Sequence, residues 1–341
     1  MGQDTYLMGD IEDKKLDQIR ICLEKDIKSK VSNGFDEYRF IHNALPEINK
    51  NEIDLSIRFL GKKLDSPLMI SSISGGNDLA EKINKNLAEA TQELNIAMCV
   101  GSQRIMIEHP ETTNTFKVRD IAPDILLCAN LGAVQLNNGF DIERCHIIVD
   151  TINADALVLH LNPLQEAIQI GGNTNYHGLL EKIKDVVDNL HVPVIIKEVG
   201  SGMSYEVAKK LHEIGVRIID ISGLGGTSWA AVESYRNNIG KSFRDWGIPT
   251  AESVRLVSYV KGMKIIAGGG IRSGIDIAKA LALGADLASI AGPLLRPALI
   301  GSDEVKKKLK HYIEELQIAM FCVGAKNIHE LKTKHSLVKV S

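Results

Sequence analysis

The sequence predicts an α/β fold, a TIM (β/α)₈ barrel with an amino-terminal helical extension, on three observations. Eight short apolar runs recur along the 341 residues, each ending in or next to Gly, Ser, Asn, His or Lys and each followed by a stretch of helical periodicity. The runs are continuous and rich in β-branched residues rather than alternating, as parallel strands covered on both faces must be. The last two runs open into Gly268-Gly269-Gly270-Ile271-Arg272 and Ala291-Gly292-Pro293. Loops after strands 7 and 8 of such barrels form a phosphate cradle from backbone N–H groups and helix N-termini, so a phosphorylated ligand is the first expectation.

In chain order, residues 1–66 form the extension, richer in charge and amide, with a helix-like core over 14–28. Residues 67–341 form the barrel. Its strands are expected at 67–71, 96–100, 124–129, 156–161, 194–198, 216–221, 264–267 and 287–290. Helices fill the gaps; those at 205–214 and 275–283 close on Gly215 and Gly284, the residue type that tolerates a left-handed cap. The stretch 227–250 is longer than one crossover needs and carries both tryptophans, Trp229 and Trp246, which suits a segment covering a site.

Composition narrows the function classes. The formal net charge is −3 and no basic stretch could track a nucleic-acid backbone. The five cysteines (Cys22, Cys99, Cys128, Cys145, Cys322) are scattered and never in a C-x-x-C pair, as expected of reduced thiols in a cytoplasmic protein. There is no apolar leader, no apolar run of the ~18 residues that span a bilayer, and Tyr6 stands where a myristoylation signal wants Ser or Thr.

A barrel converges its strand ends on one pocket. Here those ends carry Ser71-Ser72-Ile73-Ser74-Gly75-Gly76, Gly101-Ser102-Gln103-Arg104, Asn130, His160 to Glu166, Lys197-Glu198, Ser222 to Thr227 and the two glycine loops. So many polar groups exceed what stability needs, and the cluster reads as a site. Read alone, Lys197 serves as a structural ion-paired lysine, a Schiff-base nucleophile or a charge beside an anionic cofactor.

Four motifs, Gly-Ser-Gln-Arg at 101–104, His-Leu-Asn-Pro-Leu-Gln-Glu at 160–166, Gly-Gly-Thr-Ser-Trp at 225–229 and Gly-Gly-Ile-Arg at 269–272, closely resemble the flavin-dependent type 2 isopentenyl diphosphate isomerases. The resemblance runs from about Lys14 to the end of strand 8. It implies FMN contacts at Ser72, Ile73, Ser74, Gly75, Ser102, Asn130, Lys197, Ser222, Thr227, Gly270, Ile271, Arg272, Ala291 and Gly292, with Ile73 and Ser74 replacing the family's Met and Thr. It implies a diphosphate substrate held by Lys14, Lys15, Ser102, Gln103, Arg104, His160, Asn162 and Gln165, with Mg²⁺ at Glu166. His160, Gln165, Lys197 and Glu233 form the expected catalytic set. Trp229 and Glu233 share a helix face at i, i+4. NADPH is implied as the flavin's reductant, and a homotetramer or homooctamer as the assembly. The extension departs from the family's Arg-Lys-x-x-His by carrying Lys14, Lys15 and Gln18, and Lys lacks the guanidinium fork.

The nearest rival is an FMN-dependent 2-hydroxy acid oxidase, which shares barrel and glycine loops. Such an enzyme needs a His base and an Arg clamp after strand 6, where this chain has Leu224 and Thr227. Inosine monophosphate dehydrogenase-like chemistry needs a cysteine that is missing between Cys145 and Cys322. A non-catalytic phosphoprotein-binding barrel is the remaining alternative.

Overall fold

The computed structural model describes residues 15–340. Eight parallel strands close on themselves: β4 (Leu68–Ile70), β5 (Ala97–Cys99), β6 (Leu127–Gly132), β7 (Ala156–Leu161), β8 (Val194–Glu198), β9 (Ile218–Asp220), β10 (Lys264–Ala267) and β11 (Leu287–Ile290). Closure is the pairing of β11 with β4, Ala288 opposite Leu68. Before them come β1 (Tyr38–Phe40) and the hairpin β2 (Ile57–Phe59) and β3 (Lys62–Leu64); after them comes β12 (Leu337–Lys339), which pairs antiparallel with β1.

The helices in chain order are α1 (residues 15–24), α2 (Asp78–Leu94), α3 (Arg104–Glu108), α4 (Ile142–Thr151), α5 (Pro163–Ile168), α6 (Leu179–Asn189), α7 (Tyr205–Glu213), α8 (Trp229–Ser234), α9 (Thr250–Ser258), α10 (Gly274–Ala282), α11 (Gly292–Ile300), α12 (Ser302–Val323) and α13 (Ile328–Thr333). Several start where a short polar side chain accepts an otherwise unpaired N–H: Asn77 from Ala80, Asp141 from Arg144, Ser204 from Val207 and Ser273 from Asp276.

Strand parity separates two apolar clusters. Met69, Ala97, Cys128, Val158, Ile195 and Ile218 fill the barrel interior, and their chain neighbours Ile70, Met98, Leu127, Leu157, Ile196 and Ile219 pack under the helices. Phe59 and Leu64 of the hairpin join the interior cluster and stopper the bottom of the barrel. Two residues further up the strands the interior parity turns polar, at Asn130, His160, Lys197, Asp220 and Ser289. That change of character is the floor of the site.

Seven of the eight strands lie where the apolar runs predict. The third is displaced from 124–129 to Leu127–Gly132, because Asn130, Leu131 and Gly132 continue the ladder opposite Val158, Leu159 and His160. The four outlying strands, three residues each, are too short to show a period. The extension is no separate body: Ile19, Phe35 and Tyr38 share the main core with the barrel helices. No helix among the described residues is long and apolar enough to cross a membrane.

Candidate active site

Two hydrogen-bonded chains cross the floor. In the first, Asn130 Nδ2 donates to Ser72 Oγ (2.7 Å), which orients Asn130 Oδ1 toward His160 Nδ1 (2.8 Å). This fixes the imidazole with its proton on Nδ1. Burial, followed by the charges of Lys197 and Lys15, holds His160 down at about 4. His160, expected to hold the diphosphate, is therefore neutral without a ligand, and an incoming anion must supply the charge that favours protonation.

In the second chain, Lys197 Nζ lies 3.0 Å from Asp220 Oδ2 and also donates to Ser222 Oγ. Ser289 Oγ donates to the same Asp220 oxygen (3.2 Å). Asp220 gave no signal in the motifs, although its interior parity, two residues beyond Ile218, marks it. Glu198, which the strand-end pattern singles out with Lys197, lies on the opposite strand face. Its Oε2 accepts the N–H groups of Val199, Gly200 and Ser201, while burial raises it to about 7.

The loops after β10 and β11 turn backbone donors outward. Among the described residues, the backbone N–H groups of Gly270, Ile271, Ala291 and Gly292 have no protein acceptor. Four convergent unpaired donors, one of them opening α11, are what a phosphate needs, so FMN fits here. The Arg272 N–H is taken by Asp276 Oδ2 (2.9 Å), and its side chain is exposed. The cradle is braced from outside: Asn33 Nδ2 donates to Gly270 O (2.8 Å) and Thr250 Oγ1 to Gly269 O (2.6 Å). A Cβ on Gly226 would lie 2.5 Å from Gly270 N, which keeps the β9 and β10 loops in direct backbone contact. Thr227 borders Gly292, its Oγ1 3.5 Å from where a Cβ there would stand.

The extension reaches the far side of the mouth. Lys14 lies outside the described residues, but Lys15 Nζ donates to Gly75 O (2.9 Å) and Ser102 O (3.2 Å). Gly75 is itself pinned, since a Cβ would overlap the Phe116 ring at 2.0 Å. Ile73 and Ser74 lie half-buried on the same loop. Gln18 Nε2 donates to Glu233 Oε1 (2.9 Å), and Arg236 bridges Glu233 to Asp17. Glu233 is 1% exposed on α8, below half-buried Trp229.

Burial, then the neighbouring Arg104, brings Lys15 down to about 7. The sign follows. Between pH 7 and the ordinary lysine value the unfolded chain holds a proton the folded chain does not, so the cost of burying this cation is full below pH 7 and fades as pH rises. An anionic ligand reverses the balance. Inorganic diphosphate should bind with proton uptake at pH 8, and its affinity should weaken by up to ~10-fold per pH unit above 7. Calorimetry in buffers of different ionisation enthalpy measures this. No proton uptake, or the same pH slope in Lys15→Arg, would remove Lys15 from the anion site.

Around α5, Glu166 Oε1 accepts from Asn162 Nδ2 (3.0 Å) and Oε2 from Asn173 N (2.6 Å), while Tyr176 donates to Asn162 Oδ1 (3.3 Å). No trio of His, Cys, Asp or Glu converges among the described residues. The donors are one carboxylate and amide oxygens, which fits a hydrated Mg²⁺ taking most ligands from water and phosphate and excludes a thiolate or imidazole cage. Gln165 is half-buried beside a cavity of about 10 Å³ shared with Glu198, Ser228 and Trp229.

Gln103 and Arg104, neighbours on the β5 loop, have different surroundings. Gln103 is fully buried and turned from the mouth, its Oε1 accepting from Asn130 N (3.0 Å) and its Nε2 donating to Ile148 O (3.1 Å). These bonds suture β5 to β6 and α4, because a buried amide must satisfy its own hydrogen bonds. Arg104 is half-exposed and ion-paired with Glu108 (2.7 Å), beside Lys15.

The closed barrel and this loop set define a flavin-binding class, and the profile of the FMN-dependent dehydrogenase family matches residues 24–111 and 153–338. Its fold recurs in a flavocytochrome b2 variant with sulfite bound (TM-score 0.72, 18% identity, 94% of this chain and 82% of that one) and a mandelate oxidase variant (TM-score 0.66, 16%, 92% and 94%). Within that class the chain belongs to the isopentenyl-diphosphate delta-isomerases. It is 50% identical over 333 residues to the Thermococcus onnurineus protein of that name (94% of this chain, 89% of the relative). It is 47% identical over 337 residues to the one from Nostoc sp. (96% of each).

Proposed function

We propose that this protein interconverts isopentenyl diphosphate and dimethylallyl diphosphate, with reduced FMN as the acid/base group, Mg²⁺ at Glu166 and NADPH as the reductant. The observation that carries the reading is two anion sites in one barrel mouth. One is the cradle of unpaired N–H groups at Gly270, Ile271, Ala291 and Gly292; the other is the side where Arg104 stands beside Lys15 and His160, two groups that burial holds below their ordinary values and that an incoming anion would protonate. A flavin phosphate takes the first and a substrate diphosphate the second. The family resemblance adds a homotetramer or homooctamer in the cytoplasm, which sedimentation of the native protein would measure.

Bound in reduced form, FMN supplies a proton donor and acceptor and an electron-rich face toward a cationic transition state. The residues supply the rest. Lys197 sets a positive charge in the floor, which favours an anionic reduced ring. Lys15 and Arg104 would offset the charge of a bound diphosphate, and Glu166 would hold a Mg²⁺ that adds positive charge there. Glu233, anchored by Gln18 and Arg236, presents a buried carboxylate beneath Trp229. The α8 and 227–250 segment exclude water that would trap a carbocation as an alcohol.

The hydroxy acid oxidase reading lacks its machinery. Leu224 is 3% exposed and pairs its backbone with Ile248 and Thr250, leaving the loop after β9 without a base or a carboxylate clamp.

The test is proton NMR of isopentenyl diphosphate in D₂O with protein, FMN and Mg²⁺. Oxidised enzyme in air should give no product. A single anaerobic reduction by dithionite, without nicotinamide, should give many turnovers to deuterated dimethylallyl diphosphate. Reductant consumed in proportion to product would overturn the reading, since a redox-neutral isomerisation leaves the flavin reduced.

A further inference from the structure

The buried charges of the floor include one residue that the reaction as described does not use. Asp220, 2% exposed at the top of β9, has both carboxylate oxygens committed. Oδ2 faces Lys197 Nζ (3.0 Å) and accepts from Ser289 Oγ (3.2 Å). Oδ1 accepts from both the N–H (3.1 Å) and the Oγ (2.9 Å) of Ser222. Ser222 sits at φ +26, a left-handed conformation that a serine adopts only under constraint. The double grip from Asp220 supplies that constraint, and its result is the Ser222 hydroxyl against the Lys197 ammonium.

Room for this arrangement comes from strand 7. A Cβ on Gly268 would stand 2.4 Å from Ser289 Oγ, 2.7 Å from Ser222 Oγ and 2.9 Å from Asp220 Oδ1. Glycine there, on the interior parity, leaves the space in which strands 5, 6 and 8 join their polar ends.

We propose that Asp220 is a positioning residue for Lys197: it fixes the ammonium in the floor, balances its charge and holds Ser222 against it, and so limits how strongly the cation favours reduced flavin. The inference rests on the FMN reading above. Asp220 acts through Lys197 rather than on the flavin directly. A counter-charge at 3.0 Å offsets most of the ammonium's field, and removing it leaves a buried cation whose best available partner is an anionic reduced ring.

The test uses full-length protein loaded with FMN, and the readout is the ratio of reduced to oxidised bound flavin in redox-dye equilibrium. Asp220→Asn keeps the shape and one acceptor for Ser222. It should bind FMN within a few-fold of wild type, since the phosphate cradle is untouched, and shift the ratio toward reduced by about tenfold, or about 30 mV for a two-electron couple. In a Lys197→Gln background the same substitution should produce no further shift. Ser289→Ala, a change of one methyl-sized hydroxyl that the fold should tolerate, removes a competing donor from Asp220 and strengthens its hold on Lys197. It should shift the ratio two- to threefold toward oxidised. An unchanged ratio in Asp220→Asn with FMN bound, an equal shift with and without Lys197, or a Ser289→Ala shift toward reduced would each overturn the proposal. Wild-type protein that takes up no FMN would overturn the flavin reading and the inference with it.

Discussion

Glu166→Gln is expected to lower kcat/KM by ~100-fold or more while the purified protein stays yellow. Glu166 is the one acidic residue of α5, and its two oxygens are held by Asn162 Nδ2 and Asn173 N. An amide keeps the volume but offers one acceptor where two donors wait, so one contact becomes donor against donor. That costs about 1–3 kcal/mol locally and removes the negative charge that draws Mg²⁺. Flavin retention follows because the cradle at Gly270 and Gly292 lies on different strands from α5. Steady-state rates against a magnesium titration check it. Normal turnover with an unchanged magnesium requirement would take Glu166 out of the metal site.

Gly270→Val should yield colourless, inactive protein. Gly270 sits at φ +71, a region a β-branched residue enters only with strain of order 1–3 kcal/mol. Its Cβ would stand 2.6 Å from both C and O of Gly225 and 3.0 Å from Asn33 Cβ. The substitution therefore pries apart the β9 and β10 loops and displaces the unpaired N–H groups together, leaving nothing to grip a phosphate. Gly301→Ala is the control: its φ of 173 is ordinary extended backbone, nothing lies within 4 Å of the added methyl, and the colour should remain. Absorbance of the purified variants decides, and a yellow Gly270→Val would mean that the phosphate is held elsewhere.

The barrel itself was legible residue by residue. Continuous apolar runs followed by helical periods admit few other arrangements, and strands such as Val194–Glu198 and Leu287–Ile290 fall where the runs lie because parallel strands bury both faces. The glycines at 268–270 and 292 were legible for a related reason, since close backbone approach to an anion demands glycine locally. Strand-end polarity marked His160, Lys197 and Glu166 as well.

What the chain by itself left open is pairing across distance. Nothing local says that Gln103 turns inward to suture β6 and α4 while Arg104 beside it faces out, or that Gln18 meets Glu233 across 215 residues. The neutral state of His160 and the lowered Lys15 arise from burial and from cations on other elements. Asp220 becomes the partner of Lys197 only when β8 and β9 lie side by side in register. Periodicity is a property of neighbours in sequence and therefore determined the strands and loops. Charge state and hydrogen-bond partnership depend on which strands the closed barrel sets next to each other, and those only the tertiary structure decided.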